Sequence, residues 1–211
     1  MKLSKRLQAI ADLVPEGTKL IDVGCDHGLL GLYLLKKRKI SKLILSDVSA
    51  NALEYAKVNA KKYQLKSDFY ITDGLNGINA DLYDTIVIAG MGTDEIIKIL
   101  TDVAKGKTLI LSSHSYLFSL RHFMMKQGFK LIDEVCVMDR GKFYFIMKYE
   151  HGKQKLNFSE LVLGVSDPNT AGFKAYKDMM YQKQKRVYNQ IPWRYITKKL
   201  SYLKQLNVYK K

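Results

Sequence analysis

The chain has 211 residues, of which 47% are hydrophobic and 26% are charged, a composition typical of a globular protein with a substantial core. It has no run of eighteen apolar residues and no uninterrupted apolar segment near its start, which argues against a membrane span or leader and predicts a soluble, cytoplasmic protein. The net charge of +15 favours a polyanionic partner such as nucleic acid, with a solvated lysine-rich surface as the alternative.

The first two thirds of the chain predict one helix followed by alternating strands and helices. Apolar residues recur at helical spacing from Leu3 to Leu13, and Pro15 and Gly17 end that helix. The next five strands are short and almost continuously apolar, which is the pattern of parallel strands covered on both faces. They are predicted at 19–23, 42–46, 69–72, 84–89 and 108–112, with helices at 29–37, 49–63, 93–103 and 117–127. The pattern predicts a doubly wound α/β sheet.

Two further strands, at 130–138 and 143–149, flank a polar turn from Asp139 to Lys142 that contains glycine. A turn this tight joins neighbouring strands antiparallel. A seven-stranded, mostly parallel sheet that ends in an antiparallel hairpin resembles the class I methyltransferase fold, which binds S-adenosylmethionine (SAM). Dehydrogenase sheets usually end in a parallel sixth strand, so this ending favours the methyltransferase fold.

After residue 150 the composition changes, and we predict a catalytic domain at 1–150 and a small all-α domain at 151–211. Residues 151–211 hold 13 Lys and Arg against 3 acids, whereas residues 1–150 hold 22 against 17. Apolar spacing predicts a helix over 171–190 and a second one from Ile196, which would form an antiparallel, coiled-coil-like pair.

Basic and aromatic residues alternate along this helical pair, with Tyr181, Tyr188, Trp193 and Tyr195 among the aromatic ones. Such interleaving favours contact with RNA, and an ordinary solvated surface is the alternative. The basic residues predicted on the outside are Lys174, Lys177, Lys183, Lys185, Arg186, Lys198, Lys199 and Lys204.

The stretch from Lys19 to Gly28 is the first candidate ligand site, because a buried strand runs into a turn with Gly24 and Gly28. Glycines let a ligand approach the backbone, and the helix that follows offers free N–H groups. Asp22 lies within the strand, where an acid is unusual. The spacing G-x-D-x-G places Asp26 where dinucleotide-binding loops have glycine, which weakens an NAD-binding interpretation.

Three further strands end in residues suited to a cofactor. Asp47, followed by Val48, ends the second strand and could accept hydrogen bonds from ribose hydroxyls, or could cap the next helix. Asp73 and Gly74 end the third strand and could meet an adenine amine, or form only a turn. The fourth strand ends in a run of small residues and one methionine: Ala89, Gly90, Met91 and Gly92. Together the four strand ends predict a SAM site at the carboxyl edge of the sheet.

Cys25 and Cys136 are far apart and have no Cys-x-x-Cys or histidine spacing of a zinc site. We therefore expect two buried thiols in a reducing compartment and no metal. We also expect a monomer.

Several segments together resemble the bacterial tRNA adenine-N1 methyltransferase family that acts at tRNA position 22. They are residues 3–7 (LSKRL), 22–28 (DVGCDHG), 88–92 (IAGMG), 131–134 (LIDE) and the helical tail. The resemblance covers essentially the whole chain. It implies a SAM-dependent tRNA enzyme with a class I catalytic domain and a C-terminal helical pair that helps to hold tRNA.

Asp26 and His27 are the candidate catalytic residues, because both lie on the loop nearest the methyl group. We expect Asp26 to stabilise the cationic base that methyl transfer produces and His27 to hydrogen-bond or stack on it, although a helix cap and a solvated turn are the alternatives. Arg6 and Arg121 are candidate phosphate contacts, each of which could instead be structural or merely exposed.

Other functions remain open from the residues alone. A SAM-dependent methyltransferase for ribosomal RNA or a small molecule, and a non-catalytic RNA-binding protein with this fold, fit the same pattern. The Asp-Pro-Pro-aromatic type of tetrad that exocyclic-amine methyltransferases carry after the fourth strand is replaced by Ala-Gly-Met-Gly, which favours a ring nitrogen as the acceptor.

Overall fold

The computed structural model describes residues 1–101, 106–113 and 115–210. Within these ranges the chain forms seven strands and eight α-helices. The strands are β1 (Lys19–Val23), β2 (Lys42–Asp47), β3 (Asp68–Ile71), β4 (Thr85–Met91), β5 (Thr108–Ser113), β6 (Phe129–Asp139) and β7 (Lys142–His151). The helices are α1 (Lys5–Leu13), α2 (Leu29–Lys36), α3 (Ala50–Lys62), α4 (Thr93–Leu100), α5 (Leu117–Lys126), α6 (Phe158–Leu163), α7 (Ala171–Gln190) and α8 (Ile196–Lys210).

The seven strands form one sheet in the order β3-β2-β1-β4-β5-β7-β6. The first five pair in parallel, and β7 runs antiparallel between β5 and β6. The strand order reverses between β1 and β4, which puts the carboxyl ends of these two neighbours on either side of a crevice. The predicted α/β fold with a terminal antiparallel hairpin is confirmed.

Helices cover both faces of the sheet, which explains the continuous apolarity of the strands. On one face Leu20, Leu43 and Val87 pack with α1, α2 and α3. On the other face Ile21 and Ile86 pack with residues of α4 and α5. Because successive strand residues point to opposite faces, both kinds of position must be apolar.

The helices after β7 include one that the periodicity did not predict. The short α6 begins with a capping box, in which the Asn157 side chain and Glu160 exchange hydrogen bonds with each other's backbone N–H. Helix α7 starts at the predicted residue and buries Phe173 beside Phe145 of β7. The predicted helix at 93–103 ends at Leu100, and its last predicted residues, 102 and 103, lie outside the described ranges.

Arg121 lies at the junction between the sheet and α6, with a fully buried side chain. Its Nε and Nη2 donate to one oxygen of Glu134 at 2.9 and 2.7 Å, and its Nη1 donates to the carbonyl of Leu161 at 3.0 Å. The other Glu134 oxygen accepts from the backbone N–H of Val165 at 2.6 Å. The prediction that Arg121 contacts phosphate is therefore wrong, because its guanidinium is enclosed and connects the two parts of the chain.

Lys199 also departs from the prediction, since its side chain is buried rather than outside the helical pair. Its ammonium donates to the backbone carbonyls of Tyr188 and Ile191, at 3.3 and 2.8 Å. These carbonyls end α7, where a cation is favoured by the helix dipole. Lys199 thus fastens the start of α8 to the end of α7.

Candidate active site

The loop after β1 is held against the end of β2. The backbone N–H groups of Gly24 and Cys25 both donate to the carbonyl of Ser46, at 2.8 and 3.1 Å. Gly24 has a positive φ of 67°, and a Cβ there would collide with the terminal methyl of Met91. Only glycine combines this conformation with such close packing of β1 against β4.

Asp47 connects the loop to β2 through its carboxylate. One oxygen accepts from the backbone N–H of Asp26 at 3.0 Å, and the other accepts from the N–H of Ser49 at 2.9 Å. The N-cap of α3 is Ser49, whose hydroxyl accepts from the N–H of Ala52. Asp47 therefore positions the glycine loop rather than capping the helix.

The carboxyl ends of β1 to β4 surround a cavity of about 580 Å³. Small-molecule sites in proteins typically occupy about 300–1,000 Å³, so a nucleoside-sized cofactor fits this space. Nine of the eleven predicted cofactor residues line it. They are Gly24, Asp47, Val48, Asp73, Gly74, Ala89, Gly90, Met91 and Gly92. The other two lie elsewhere: Asp22 faces a neighbouring cavity, and Gly28 begins α2 against Leu45 and Ala56.

Helix α4 contributes three cavity residues that the sequence pattern did not indicate: Glu95, Lys98 and Ile99. One oxygen of Glu95 accepts from the Gly92 backbone N–H at 2.6 Å. Lys98 donates to Asp73 at 2.8 Å, and this hydrogen bond raises the pKa of the lysine. In a capping box, Glu or Gln follows the N-cap residue of a helix by three positions. Glu95 follows Gly92 at this spacing, so the signature could have identified it. Val23 and Thr72 complete the lining.

A second cavity of about 340 Å³ lies next to the first. Gly24, Ala89 and Gly90 line both cavities, so the residues that the two cavities share are all small. The rest of the second cavity comes from α1, β1, the glycine loop and α2. These residues are Arg6, Leu7, Asp22, Cys25, Asp26, His27, Leu29 and Leu30.

Asp26 and His27 lie together at this second cavity. The Asp26 backbone is left-handed, with a φ of 52°, and its side chain is 77% exposed. His27 Nε2 lies 3.3 Å from one Asp26 carboxylate oxygen, and its ring stacks on Tyr55 with 4.9 Å between centroids. The Asn59 amide donates to the His27 carbonyl. Both side chains are thus oriented while remaining open to a ligand.

Asp22, which lines the same cavity, is almost completely buried. The pKa of its carboxyl is raised to about 7, mainly because the group is buried. A hydrogen bond from the Gly31 backbone and the charge of Arg6 lower this pKa, and the charge of Asp47 raises it. A carboxyl with a pKa near neutrality can hold or release a proton under physiological conditions.

Arg6 is half-buried where α1 meets the hairpin of β6 and β7. Its backbone N–H donates to Asp139 at 3.3 Å, and its guanidinium lies 5.3 Å from the centre of the Tyr144 ring. The guanidinium also approaches Gly90 in the wall between the cavities. Arg6 therefore brings a fixed positive charge to the second cavity.

The predicted RNA-contacting residues on α7 lie on its surface. Lys174, Lys183, Lys185 and Arg186 are exposed, and Lys177 is half-buried. Asp178 is the only acid from Ala171 to Lys211. This part of the chain is therefore strongly positive along its length.

The described ranges contain no cluster of three or more His, Cys, Asp or Glu side chains that could hold a metal ion. Nor does any helix in them have the length and apolarity needed to cross a membrane. Cys25 and Cys136 are both buried thiols, as predicted.

Comparison with known proteins agrees with this geometry. Residues 3–147 match the family described as "Methyltransferase domain". The chain is 34% identical, over 77% of its length and 71% of the relative's, to the tRNA (adenine(22)-N(1))-methyltransferase of Bacillus subtilis. The structure of the B. subtilis tRNA methyltransferase TrmK superposes with a TM-score of 0.87 at 27% identity, covering 99% of this chain and 97% of that one.

A Streptococcus pneumoniae structure in complex with S-adenosyl-L-methionine superposes with a TM-score of 0.88 at 26% identity, covering 99% of this chain and 98% of that one. The two structural matches span the sheet, the strand-end cavities and the helical pair. The chain therefore belongs to the bacterial tRNA (adenine-N1)-methyltransferase family that acts at position 22 of tRNA.

Proposed function

We propose that this protein transfers a methyl group from SAM to N1 of the adenosine at position 22 of tRNA. The observation that carries the proposal is the pair of cavities that share Gly24, Ala89 and Gly90. A methyl donor in one cavity and an acceptor base in the other would meet at these three small residues. Such an arrangement suits an in-line displacement, which depends mainly on alignment.

The larger cavity is the proposed SAM site. When bound, SAM supplies an electrophilic methyl on a sulfonium. We assign the ribose hydroxyls to Asp47, whose carboxylate oxygens each retain acceptor capacity beside the bonds to Asp26 and Ser49. Val48 and Ile99 offer apolar contact to the adenine ring of SAM. Asp73, which accepts a hydrogen bond from Lys98, lies at the strand end where the adenine amino group would be bound.

The smaller cavity is the proposed site of the acceptor base. N1 of neutral adenine already carries a lone pair, so no base is needed to create the nucleophile. Transfer makes the base cationic, and the Asp26 carboxylate would stabilise that charge as it develops. His27, oriented by Tyr55 and Asp26, would hydrogen-bond or stack on the base.

Arg6 and the basic residues of α7 are the proposed contacts to the tRNA backbone. A fixed guanidinium beside the base cavity would bind a phosphate that flanks the target nucleotide. The exposed lysines of α7 would add sequence-independent affinity over the rest of the RNA. We further propose that the protein acts as a monomer in the cytoplasm, where tRNA substrates occur.

The test is methylation of a tRNA transcript with labelled SAM, followed by mass spectrometric mapping of the product. We expect a single N1-methyladenosine at position 22, and no product when that adenosine is replaced by guanosine. A matched ribosomal RNA fragment serves as the competing substrate. Methylation of that fragment instead of tRNA, or no SAM binding in calorimetry, would contradict the proposal.

A further inference from the structure

The outer end of the helical pair carries an exposed aromatic group that the sheet does not cover. Residues 193–195 form a short 3₁₀ turn between α7 and α8. Trp193 is 71% exposed and Tyr195 is 50% exposed, and the adjoining Ile196 and Leu200 are also exposed. We call Trp193, Tyr195, Ile196 and Leu200 the tip. Large apolar side chains concentrated at one exposed end mark an interaction surface.

The indole of Trp193 is supported from within the pair. The buried ammonium of Lys199 lies 4.6 Å from the Trp193 ring centre while it donates to the backbone at the end of α7. The guanidinium of Arg194 lies 5.0 Å from the centre of the Tyr195 ring. The two rings are therefore held by cations, and most of the Trp193 surface remains available to a partner.

The positive charge around the tip indicates which class of partner would bind there. Residues 181–205 contain seven Lys and Arg and no Asp or Glu. This field attracts a polyanion, and flat aromatic rings stack on nucleobases that have left a helical stack. A duplex keeps its base faces stacked, so the rings fit unpaired nucleotides better than a stem.

The tip also lies at the end of α7 opposite to its contacts with the sheet. Helix α7 has 20 residues and spans about 30 Å at 1.5 Å per residue. Its first turn packs on Cys136 and Phe145 of the sheet. The tip therefore reaches a part of the RNA separate from the nucleotide in the base cavity.

We propose that the tip binds unpaired loop nucleotides of the tRNA by stacking a base on Trp193. This inference rests on the proposed function. It further specifies that the helical pair recognises an unpaired loop of the tRNA. Loop stacking on the tip and the base cavity would together fix two separated points of one folded RNA. A stem alone, or a loop alone, would satisfy only one of these contacts.

The experiment uses the fact that Trp193 is the only tryptophan in the chain. Fluorescence of the full-length protein is titrated with a tRNA transcript, an RNA hairpin with an unpaired loop, a blunt RNA duplex and anionic phospholipid vesicles. We expect quenching by the tRNA and the hairpin, and little change with the duplex. Equal quenching by the duplex would overturn the proposal, and so would a blue shift with vesicles together with an unresponsive tRNA titration.

Variants measure the contribution to affinity. Trp193→Ala is expected to raise the Kd for tRNA roughly 5- to 100-fold. Trp193→Phe keeps a flat ring and is expected to retain most of the wild-type affinity. Met179→Ala removes another exposed apolar side chain from α7 and is the matched control, expected to match the wild type. Unchanged affinity of Trp193→Ala with normal methylation would overturn the tip assignment and leave the methyltransferase function standing. Absence of both tRNA binding and methylation in the wild type would overturn both.

Discussion

The carboxylate of Asp47 accepts a hydrogen bond from the backbone N–H of Asp26, with 3.0 Å between oxygen and nitrogen. This contact joins the end of β2 to the loop that lies between the two cavities. Asp47 lines the larger cavity and Asp26 the smaller one. One side chain therefore couples the shape of the proposed SAM site to the position of the proposed catalytic carboxylate.

Asp47→Asn tests this coupling. The amide replaces one carboxylate oxygen by a donor, so either Asp26 or Ser49 loses its acceptor, and the negative charge that the ribose hydroxyls would meet is lost. We expect the Kd for SAM to rise roughly 10- to 100-fold, since hydrogen bonds to charged groups contribute about 1.5–3 kcal/mol. Isothermal titration calorimetry measures it. Asp133→Asn, at an exposed position on β6, is the control and should bind SAM normally.

Substitutions at Asp26 and His27 test the chemistry of the smaller cavity. We expect Asp26→Ala and Asp26→Asn to lower the single-turnover methylation rate by roughly 10- to 100-fold, because both remove the charge opposite the developing cation. His27→Ala should have a smaller effect. SAM affinity should stay within about twofold for all three. Near-normal rates with intact SAM binding would reject the catalytic assignment, and Asp81→Ala, in an exposed turn, controls for general effects.

The pKa of Asp22 makes a prediction about stability and pH. Burial raises this pKa to about 7, above the value of about 3.9 in an unfolded chain. The folded state therefore binds the proton more tightly, so the stabilisation is complete below pH 4 and is lost as pH rises through 7. Asp22→Asn cannot ionise. The unfolding free energy of the variant minus that of the wild type should therefore increase by roughly 2–4 kcal/mol as the pH is raised from 5 to 8.

Urea denaturation at several pH values, without SAM, checks this prediction. Asp81→Asn, at an exposed position, controls for the loss of one carboxylate charge. A constant difference for Asp22→Asn would mean that the Asp22 carboxyl ionises in the fold as it does in water.

The helices, the strands and the larger cavity could be predicted from the sequence because they depend on local patterns. Apolar runs define β1 to β5, and residues that follow parallel strands meet at one edge whatever the details of packing. The smaller cavity depends on long-range contacts instead. Arg6 reaches it because Asp139, 133 positions later, accepts its backbone N–H. No local pattern in the sequence indicates that pairing.

The burial of Arg121 also depends on a contact between residues that are distant in sequence. A basic residue on a helix of a strongly basic protein is usually exposed, so the sequence allows a phosphate contact beside a structural role. Its burial follows from Glu134, which lies on β6 and supplies the compensating charge. A buried charge is tolerated only with such a partner, and the partner can be recognised only once the helix and strand are packed.

Gly164 tests how the junction is built. It has a φ of 86° and a ψ of −168°, and a Cβ there would collide with the Glu134 carboxylate that holds Arg121. We expect Gly164→Ala to lower the unfolding free energy by roughly 3–5 kcal/mol, because a conformation that L residues avoid adds to disruption of a buried ion pair. Gly77→Ala, with a φ of 71° but no atom near the added Cβ, isolates the backbone cost. Equal losses in the two variants would show that the ion pair tolerates the methyl group.

The exposed charges of α7 give a prediction about salt. Each phosphate contact releases condensed counterions, so it adds close to one unit to the slope of log affinity against log salt concentration. Lys183→Gln combined with Arg186→Gln should weaken tRNA binding at low salt and reduce that slope by about 1–2, with no change in SAM affinity. Filter binding over a range of salt concentrations measures it. Lys61→Gln with Lys62→Gln removes the same charge from exposed positions of α3 and is the matched control. If both pairs reduce the slope equally, the effect comes from net charge, and α7 is not the RNA-binding surface.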